Sequence, residues 1–388
     1  MSCSKLFKKI DELNSQYIKV WEDVCNIESP TNYKVGVDAV GNYFISIAQK
    51  FGWKIEVLEQ KVSGNAICIT MNDNIKNLPP ICVSGHIDTV QKLGSCGNPA
   101  VKIKDGIIYG PGTSDCKGGV VAGIMAMHAL SDIGFNTRPI KLIIQSDEEV
   151  NSIYSNKETI KFMCDSAKDA IAFLNLEGHE GYFEGKACLE RKGILKYKLK
   201  ACGKAAHASC CVTDGASAIQ EACHKVLEFE KLKDDEGVTC NCGVITGGSV
   251  VNTVPDSCEI HLDFRFATQK QNQWIKNYVK KVINNPNIKG CSWEILEENE
   301  RLPMELVQRN VQLLEKINEI FKKCGFSELQ KGKRRGGSDA AYITVSGIPC
   351  VDNLGVKGEK MHSTYEYAFI DSLKECAKRV ASIIYFMD

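Results

Sequence analysis

Ile81-Cys-Val-Ser-Gly-His-Ile-Asp-Thr-Val90 is a run of strand-forming residues that ends in a His and an Asp two positions apart. In extended backbone that spacing puts His86 and Asp88 on one face, where an imidazole can hold a metal ion while a carboxylate steers its other ring nitrogen. A single H-x-D recurs by chance in many chains. What gives this one weight is a series of further acidic and imidazole groups, each at the end of an apolar run or beside glycines.

Toward the N-terminus, apolar residues at helical spacing predict a helix over 4–26, closed by the Ser29-Pro-Thr31 turn, and a second helix over 35–51. Strand-like runs follow at 54–58, 66–71 and 80–84, the last of which delivers His86. Helices followed by strands, with a candidate ligand at a strand's C-terminal end, is the arrangement of an open α/β sheet.

Toward the C-terminus, Gly110-Pro-Gly-Thr-Ser-Asp115-Cys-Lys-Gly-Gly119 leads into an apolar helix over 120–130. The glycines permit unusual backbone angles, but the G-K-[ST] ending of a phosphate-binding loop is absent, so a carboxylate presented on a tight turn is the better account. A buried strand starting at Ile140 is expected to end in three consecutive acids, Asp147, Glu148 and Glu149. Like charges in sequence repel and favour a cation, and neighbouring strand residues point opposite ways, which divides Glu148 and Glu149 into one ligand and one free base. A similar strand over 170–176 ends at Glu177, and the final part adds Gly336-Gly-Ser-Asp-Ala340 and Lys360-Met-His362-Ser-Thr-Tyr-Glu-Tyr367.

Composition narrows the function classes. With 388 residues, 44% of them hydrophobic, there is material for two domains. Lys plus Arg equal Asp plus Glu at 48 each, so no global basic field exists to recruit nucleic acid or acidic lipid. No signal-like segment or run of eighteen apolar residues is read, and the expected location is the cytoplasm. Nineteen cysteines is an odd number in a large chain, unlike a disulfide scaffold. Reduced thiols are expected, with Cys210, Cys211, Cys240 and Cys242 read as small buried hydrophobes rather than metal ligands.

The ordered set H-x-D, G-x-x-D-x-K-G-G, D-E-E, a later acid, G-G-S-D-A and a His before Ser resembles the di-zinc glutamate carboxypeptidase, acetylornithine deacetylase and aminoacylase family. The likeness runs from about residue 30 to Tyr367, and the 336–366 segment is most similar to the carboxypeptidase G type. It implies two Zn2+ per chain, replaceable by Co2+ or Mn2+, held by His86, Asp115, Glu149, Glu177 and His362 with Asp115 shared. At Glu177 the family uses Asp or Glu according to subgroup. It further implies that Asp88 orients His86, that Glu148 is the general base, and that a cis peptide follows Asp115.

Between 189 and 301 the pattern becomes strand, helix, strand, strand, helix, strand, with strands at 193–201, 238–247, 257–267 and 292–297 and helices at 216–232 and 272–284. That is the split-βαβ order, and it matches the family's inserted lid and dimerisation domain. The expected architecture is a discontinuous α/β catalytic domain, 1–186 and 301–388, whose mixed sheet is flanked by helices, with a ferredoxin-like insert at 187–300. Within the insert the resemblance implies an oxyanion donor, His207, that serves the partner chain of a homodimer. It implies substrate-binding roles for Asn252, Arg265 and Arg301 as well. Asp263 and His261 share a strand face with Arg265, so a surface ion pair competes for that arginine. The expected substrate is a short peptide or N-acyl amino acid with a free α-carboxylate, hydrolysed without a protein nucleophile, since G-x-S-x-G is missing. A dipeptidase, a tripeptidase, an N-acyl-amino-acid deacylase and a non-catalytic dimeric binding module are the alternatives.

Overall fold

The computed structural model describes residues 3–234 and 236–387, which divide into two units. One comprises 1–189, 306–333 and 338–388, and the other 190–305 and 334–337. Among the described residues no helix is long and apolar enough to cross a membrane.

The larger unit is built on a six-stranded mixed sheet in the order Lys54–Leu58, Ala66–Met71, Ile140–Gln145, Ile81–His86, Ala172–Asn175, Cys350–Val351. The first two junctions are antiparallel and the remaining three parallel. Strands Ala66–Met71 and Ile81–His86 are buried along their whole length, as expected of strands covered on both faces. Parallel pairing brings several C-terminal strand ends to one edge of the sheet. His86 lies opposite Gln145 and Ser84 opposite Asn175, so the chain beyond Gln145 and beyond Asn175 emerges beside His86.

Helix Lys117–Asp132 is apolar nearly all round and buried, with almost every side chain from Val120 to Leu130 in the core. Its first turn touches the strand edge so closely that a methyl group on Gly119 would lie 2.0 Å from the Leu176 carbonyl oxygen, which explains the Gly118-Gly119 pair. Helix Cys3–Asn26 anchors the turn that precedes it. Trp21 Nε1 donates to the Thr113 carbonyl (3.1 Å), and the buried Lys117 ammonium donates to the carbonyl of Val24 in the last turn of that helix and to that of Ile27 just beyond its end.

The smaller unit has a four-stranded antiparallel sheet in the order Thr239–Gly247, Ser257–Phe266, Gly193–Cys202, Ser292–Arg301. Strict alternation on the central strands buries Leu195, Tyr197 and Leu199 with Ile260, Leu262 and Phe264. Helices Ala218–Phe229 and Gln269–Ile283 supply the rest of that core, the second opened by a capping box between Thr268 and Gln271. This is the ferredoxin-like arrangement. Strand Ser292–Arg301 runs past its expected end at 297 because pairing to Gly193–Cys202 continues, with Arg301 opposite Ile194.

Two local expectations need correction. The acids after Ile140 do not lie on the strand, which stops at Gln145; Glu148–Val150 is a single 3₁₀ turn. The cause is Asp147, whose carboxylate accepts from the Ser155 backbone N–H and the Thr159 hydroxyl and so turns the chain away from the sheet. Asn151, in the left-handed region at φ 59°, completes the turn. Cys240 is buried as expected, but Cys211 is exposed and Cys210 and Cys242 are only half-buried, because two lie in a turned segment and the third on an edge strand.

Candidate active site

The C-terminal strand ends and two loops of the larger unit bring His86, Asp115, Glu149, Glu177 and His362 together. The two Asp115 carboxylate oxygens divide between two imidazoles: Oδ1 lies 3.1 Å from His86 Nε2, and Oδ2 lies 3.0 Å from His362 Nε2. Glu177 completes the His86 side at 3.8 Å, and Glu149 the His362 side at 3.3 Å. All but His362 are largely buried; its side chain is 61% exposed and marks the open side of the cluster. The peptide between Asp115 and Cys116 is cis.

Asp88 ties this cluster together from behind. It is fully buried and lies against His86 Nδ1, 3.0 Å away through its carbonyl and 3.4 Å through Oδ1. Its carboxylate also accepts the backbone N–H groups of Glu148 and Glu149, both at 3.1 Å, and the Thr31 hydroxyl at 2.8 Å. One carboxylate thus orients the first imidazole and the 3₁₀ turn that carries both glutamates. Glu148 is itself buried, and its charge adds to the upward shift of both Glu149 and Glu177, which puts it within electrostatic reach of both halves.

The crowded donors shift one another's protonation. Burial, reinforced by the Asp115 charge, pushes Glu149 up to about 8. Burial also raises Glu177 well above the carboxylate range. His362 is raised to about 11 by its contacts with Asp115 and Glu149. Burial opposes charge on His86, but Cys116, Asp115 and Asp88 outweigh it and raise the ring. Asp115 is held well below its usual range, since contacts from His362 and His86 overcome its burial. These imidazole and carboxylate donors suit Zn2+ or another borderline divalent ion.

Two participants escaped the sequence reading. Glu366 is buried and accepts from the backbone N–H groups of Gly112 (3.1 Å), Ser114 (2.8 Å) and Asp115 (2.9 Å), and from Gln91 Nε2 (2.9 Å). It clasps the turn that presents Asp115, and burial with the Asp115 charge pushes it up to about 7 despite those donors. Its position four residues after His362 was the only signal. Cys116 is the second: its Sγ accepts the His86 backbone N–H at 3.0 Å and lies in one donor group with His86 and Glu177. Burial pushes that thiol up to about 12.

The candidates in the smaller unit are arranged differently. His207 sits on the two-residue strand Ala206–His207, opposite Thr253, exposed and bonded to Ser209 Oγ at 2.8 Å. Asn252 is its neighbour, accepting the Ala208 N–H through its carbonyl, and is also exposed. Arg265 is engaged in a two-pronged pair with Asp263, at 2.6 and 3.0 Å, so the competing ion pair is the one formed. Arg301 is buried under Gly337, where an added methyl would lie 2.3 Å from its Cδ. Beside it Arg191, not considered from sequence, donates to the carbonyls of Gly336 (3.3 Å) and Gly337 (3.2 Å).

The profile of peptidase family M20/M25/M40 matches residues 82–385. Carboxypeptidase G2 of Pseudomonas sp. (strain RS-16) is 25% identical over 98% of this chain and 91% of its own length. A probable succinyl-diaminopimelate desuccinylase of Staphylococcus aureus (strain MRSA252) is 24% identical over 72% of this chain and 74% of its own. Among solved structures, a tripeptidase from Staphylococcus aureus subsp. aureus Mu50 superposes with a TM-score of 0.77 at 25% identity, covering 96% of this chain and 97% of that one. With the profile spanning well over half of its residues, this chain belongs to peptidase family M20/M25/M40.

Proposed function

We propose that this chain is a glutamate carboxypeptidase-like exopeptidase that cleaves the amide bond of a short substrate bearing a free α-carboxylate, with two Zn2+ held by His86, Asp115, Glu149, Glu177 and His362. Family membership makes it a hydrolase of peptide or amide bonds. The observation that carries the finer reading is the division of Asp115 between His86 and His362, which makes two half-sites sharing one carboxylate. Metal ions bound there would polarise the scissile carbonyl and acidify a water molecule.

The residues of the chain do the remainder. Asp88 holds the His86 ring by its Nδ1 side, leaving Nε2 for the cluster. Glu148 takes the proton of the attacking water and returns it to the departing amine, so that atoms and charge balance without a protein nucleophile. It is buried on the 3₁₀ turn whose backbone N–H groups the Asp88 carboxylate holds. His207, exposed on its short strand, is assigned as oxyanion donor to the site of a partner subunit, in a homodimer formed through the smaller unit. Arg301 remains assigned to the substrate carboxylate, a planar guanidinium being suited to that anion, and Asn252 to substrate binding.

The likeness to a tripeptidase supports a second reading, in which the substrate is a tripeptide with its free amine recognised instead. One experiment separates the two and tests the metal assignment: determine metal content by elemental analysis and measure kcat/KM for N-acyl glutamates, dipeptides and tripeptides. About two zinc ions per chain with N-acyl glutamates preferred is the expected outcome. Preference for tripeptides favours the second reading, and full activity with one metal or none sinks both.

A further inference from the structure

Away from the site, two thiols 321 positions apart in sequence meet: Cys3 Sγ lies 2.8 Å from Cys324 Sγ. Cys3 is the first residue of helix Cys3–Asn26 and Cys324 the last of helix Gln308–Cys324, both in the larger unit. We propose that Cys3 and Cys324 are a disulfide-forming site, oxidised by a low-molecular-weight disulfide of the glutathione class into a covalent clasp between the first and second segments of the larger unit.

The surrounding packing holds the pair in place. Phe7, one helical turn after Cys3 and on the same face, packs its ring 5.4 Å from that of Phe326. Phe326 reaches that position because Gly325 caps its helix in the left-handed region at φ 80°, and the Phe326 N–H returns to the Phe321 carbonyl at 2.9 Å. The third helix, Asp371–Phe386, closes the frame: the Arg379 guanidinium lies 5.6 and 5.7 Å from the rings of Phe321 and Phe326, and Lys378 pairs with Asp11 at 2.6 Å. Both thiols are half-buried, accessible to a small reagent. A disulfide requires the sulfurs to close to ~2.0 Å, a movement within ordinary side-chain rotation.

The exchange balances in two steps. The Cys3 sulfur, as thiolate, attacks one sulfur of the oxidised reagent, forming a mixed disulfide and releasing the first reagent thiol. The Cys324 sulfur, its proton passing to solvent, then attacks Cys3 and releases the second. Two protein S–H bonds are lost, one S–S bond forms, and the reagent disulfide is reduced to two thiols. Burial and the Cys3 contact push Cys324 up to about 11, which makes it the second rather than the first attacker.

Such a bond would close a ring containing His86, Asp115, Glu149, Glu177 and residues 190–305 of the smaller unit. Constraint of the unfolded chain grows with the length of loop closed, so the oxidised protein should be the more heat-resistant form. The test treats full-length protein with oxidised or reduced glutathione, followed by non-reducing peptide mapping and thermal unfolding. The expected result is a Cys3–Cys324 linked peptide two hydrogens lighter than the reduced pair. With it should come a rise in Tm of at least about 2 °C, reversed by dithiothreitol and absent in Cys3→Ser and Cys324→Ser. Glutathione retained on either cysteine without the cross-link, or Cys324 linked to a different partner, would overturn the proposal. A cross-link with unchanged Tm would overturn the clasp.

Discussion

The two units hold several of their candidate site residues in opposite ways. In the larger one, charged groups at strand ends are buried against one another: Asp115 touches two imidazoles, and Asp88 binds an imidazole, two backbone N–H groups and a hydroxyl at once. In the smaller one, His207 and Asn252 are exposed and Arg265 is satisfied by an acid two residues away. Buried charges demand partners, so the first arrangement is over-determined and preorganised. Exposed groups with local partners are cheap to hold and can serve a surface that another molecule covers.

The largest expected effect lies inside the preorganised cluster. Glu148→Gln should lower kcat by ~10²-fold or more while metal content stays at the wild-type level, whereas Glu149→Gln should lose metal on dialysis. Equal metal loss in both variants would abolish the distinction between base and ligand on this 3₁₀ turn.

His207→Ala comes next, because it asks whether the exposed unit contributes at all. An oxyanion donor is worth ~10²- to 10³-fold in kcat, so turnover should fall by that order with metal retained. Mixed with Glu148→Gln chains, the variant should recover activity on subunit exchange, since one site of the heterodimer then has both groups. Exchange without recovery would confine His207 to its own chain or remove it from the reaction.

Glu366→Gln keeps the size of the side chain but weakens its grip on the N–H groups of Ser114 and Asp115. Metal affinity should drop ~10- to 100-fold, the usual cost of losing a group that orients a ligand. An unchanged affinity measured by chelator competition would show that the turn holds Asp115 without it.

The pH dependence of metal uptake has a defined sign. In the metal-free chain Glu149 carries its proton up to about 8 and His362 up to about 11, and both must be deprotonated to bind. Apparent affinity should therefore rise with pH, by ~10-fold per unit for each proton displaced, and the slope should lessen above about 8 when Glu149 is already ionised. Calorimetry in buffers of different ionisation enthalpy would count the protons released; no release at pH 7 would contradict the shifts. The smallest effect is expected from Arg265→Ala. Its guanidinium is committed to Asp263, so kcat/KM should change by less than ~10-fold. A larger loss would mean that the pair opens for substrate.

Much of the catalytic unit was legible because its chemistry sits where periodicity changes. His86 and Glu177 follow apolar runs, and Asp115 stands between glycines and an apolar helix, so local pattern marked these positions, while the set of five donors, with Glu149 rather than Glu148 among them, came only from the family resemblance. The sheet's parallel register, with Gln145 opposite His86, then explains why strands distant in sequence converge. Glu366 was not legible, since nothing in Ser363-Thr-Tyr-Glu366 distinguishes a buried acceptor of three N–H groups from a solvated acid. The same holds for the choice between ion pair and free arginine at Arg265.

The sequence by itself determined which residue types stand at which strand ends, the split-βαβ order of the insert and the absence of a nucleophile motif, because these depend on local pattern and composition. Tertiary structure supplied the distances at which Asp115 meets two imidazoles, and it alone decided that the carboxylate beside His86, Asp88, also holds the Glu148–Val150 turn. It likewise decided that Cys3 meets Cys324 across the chain. Such contacts depend on sheet register and on helices packing against one another, and no local spacing encodes the distance between groups hundreds of residues apart.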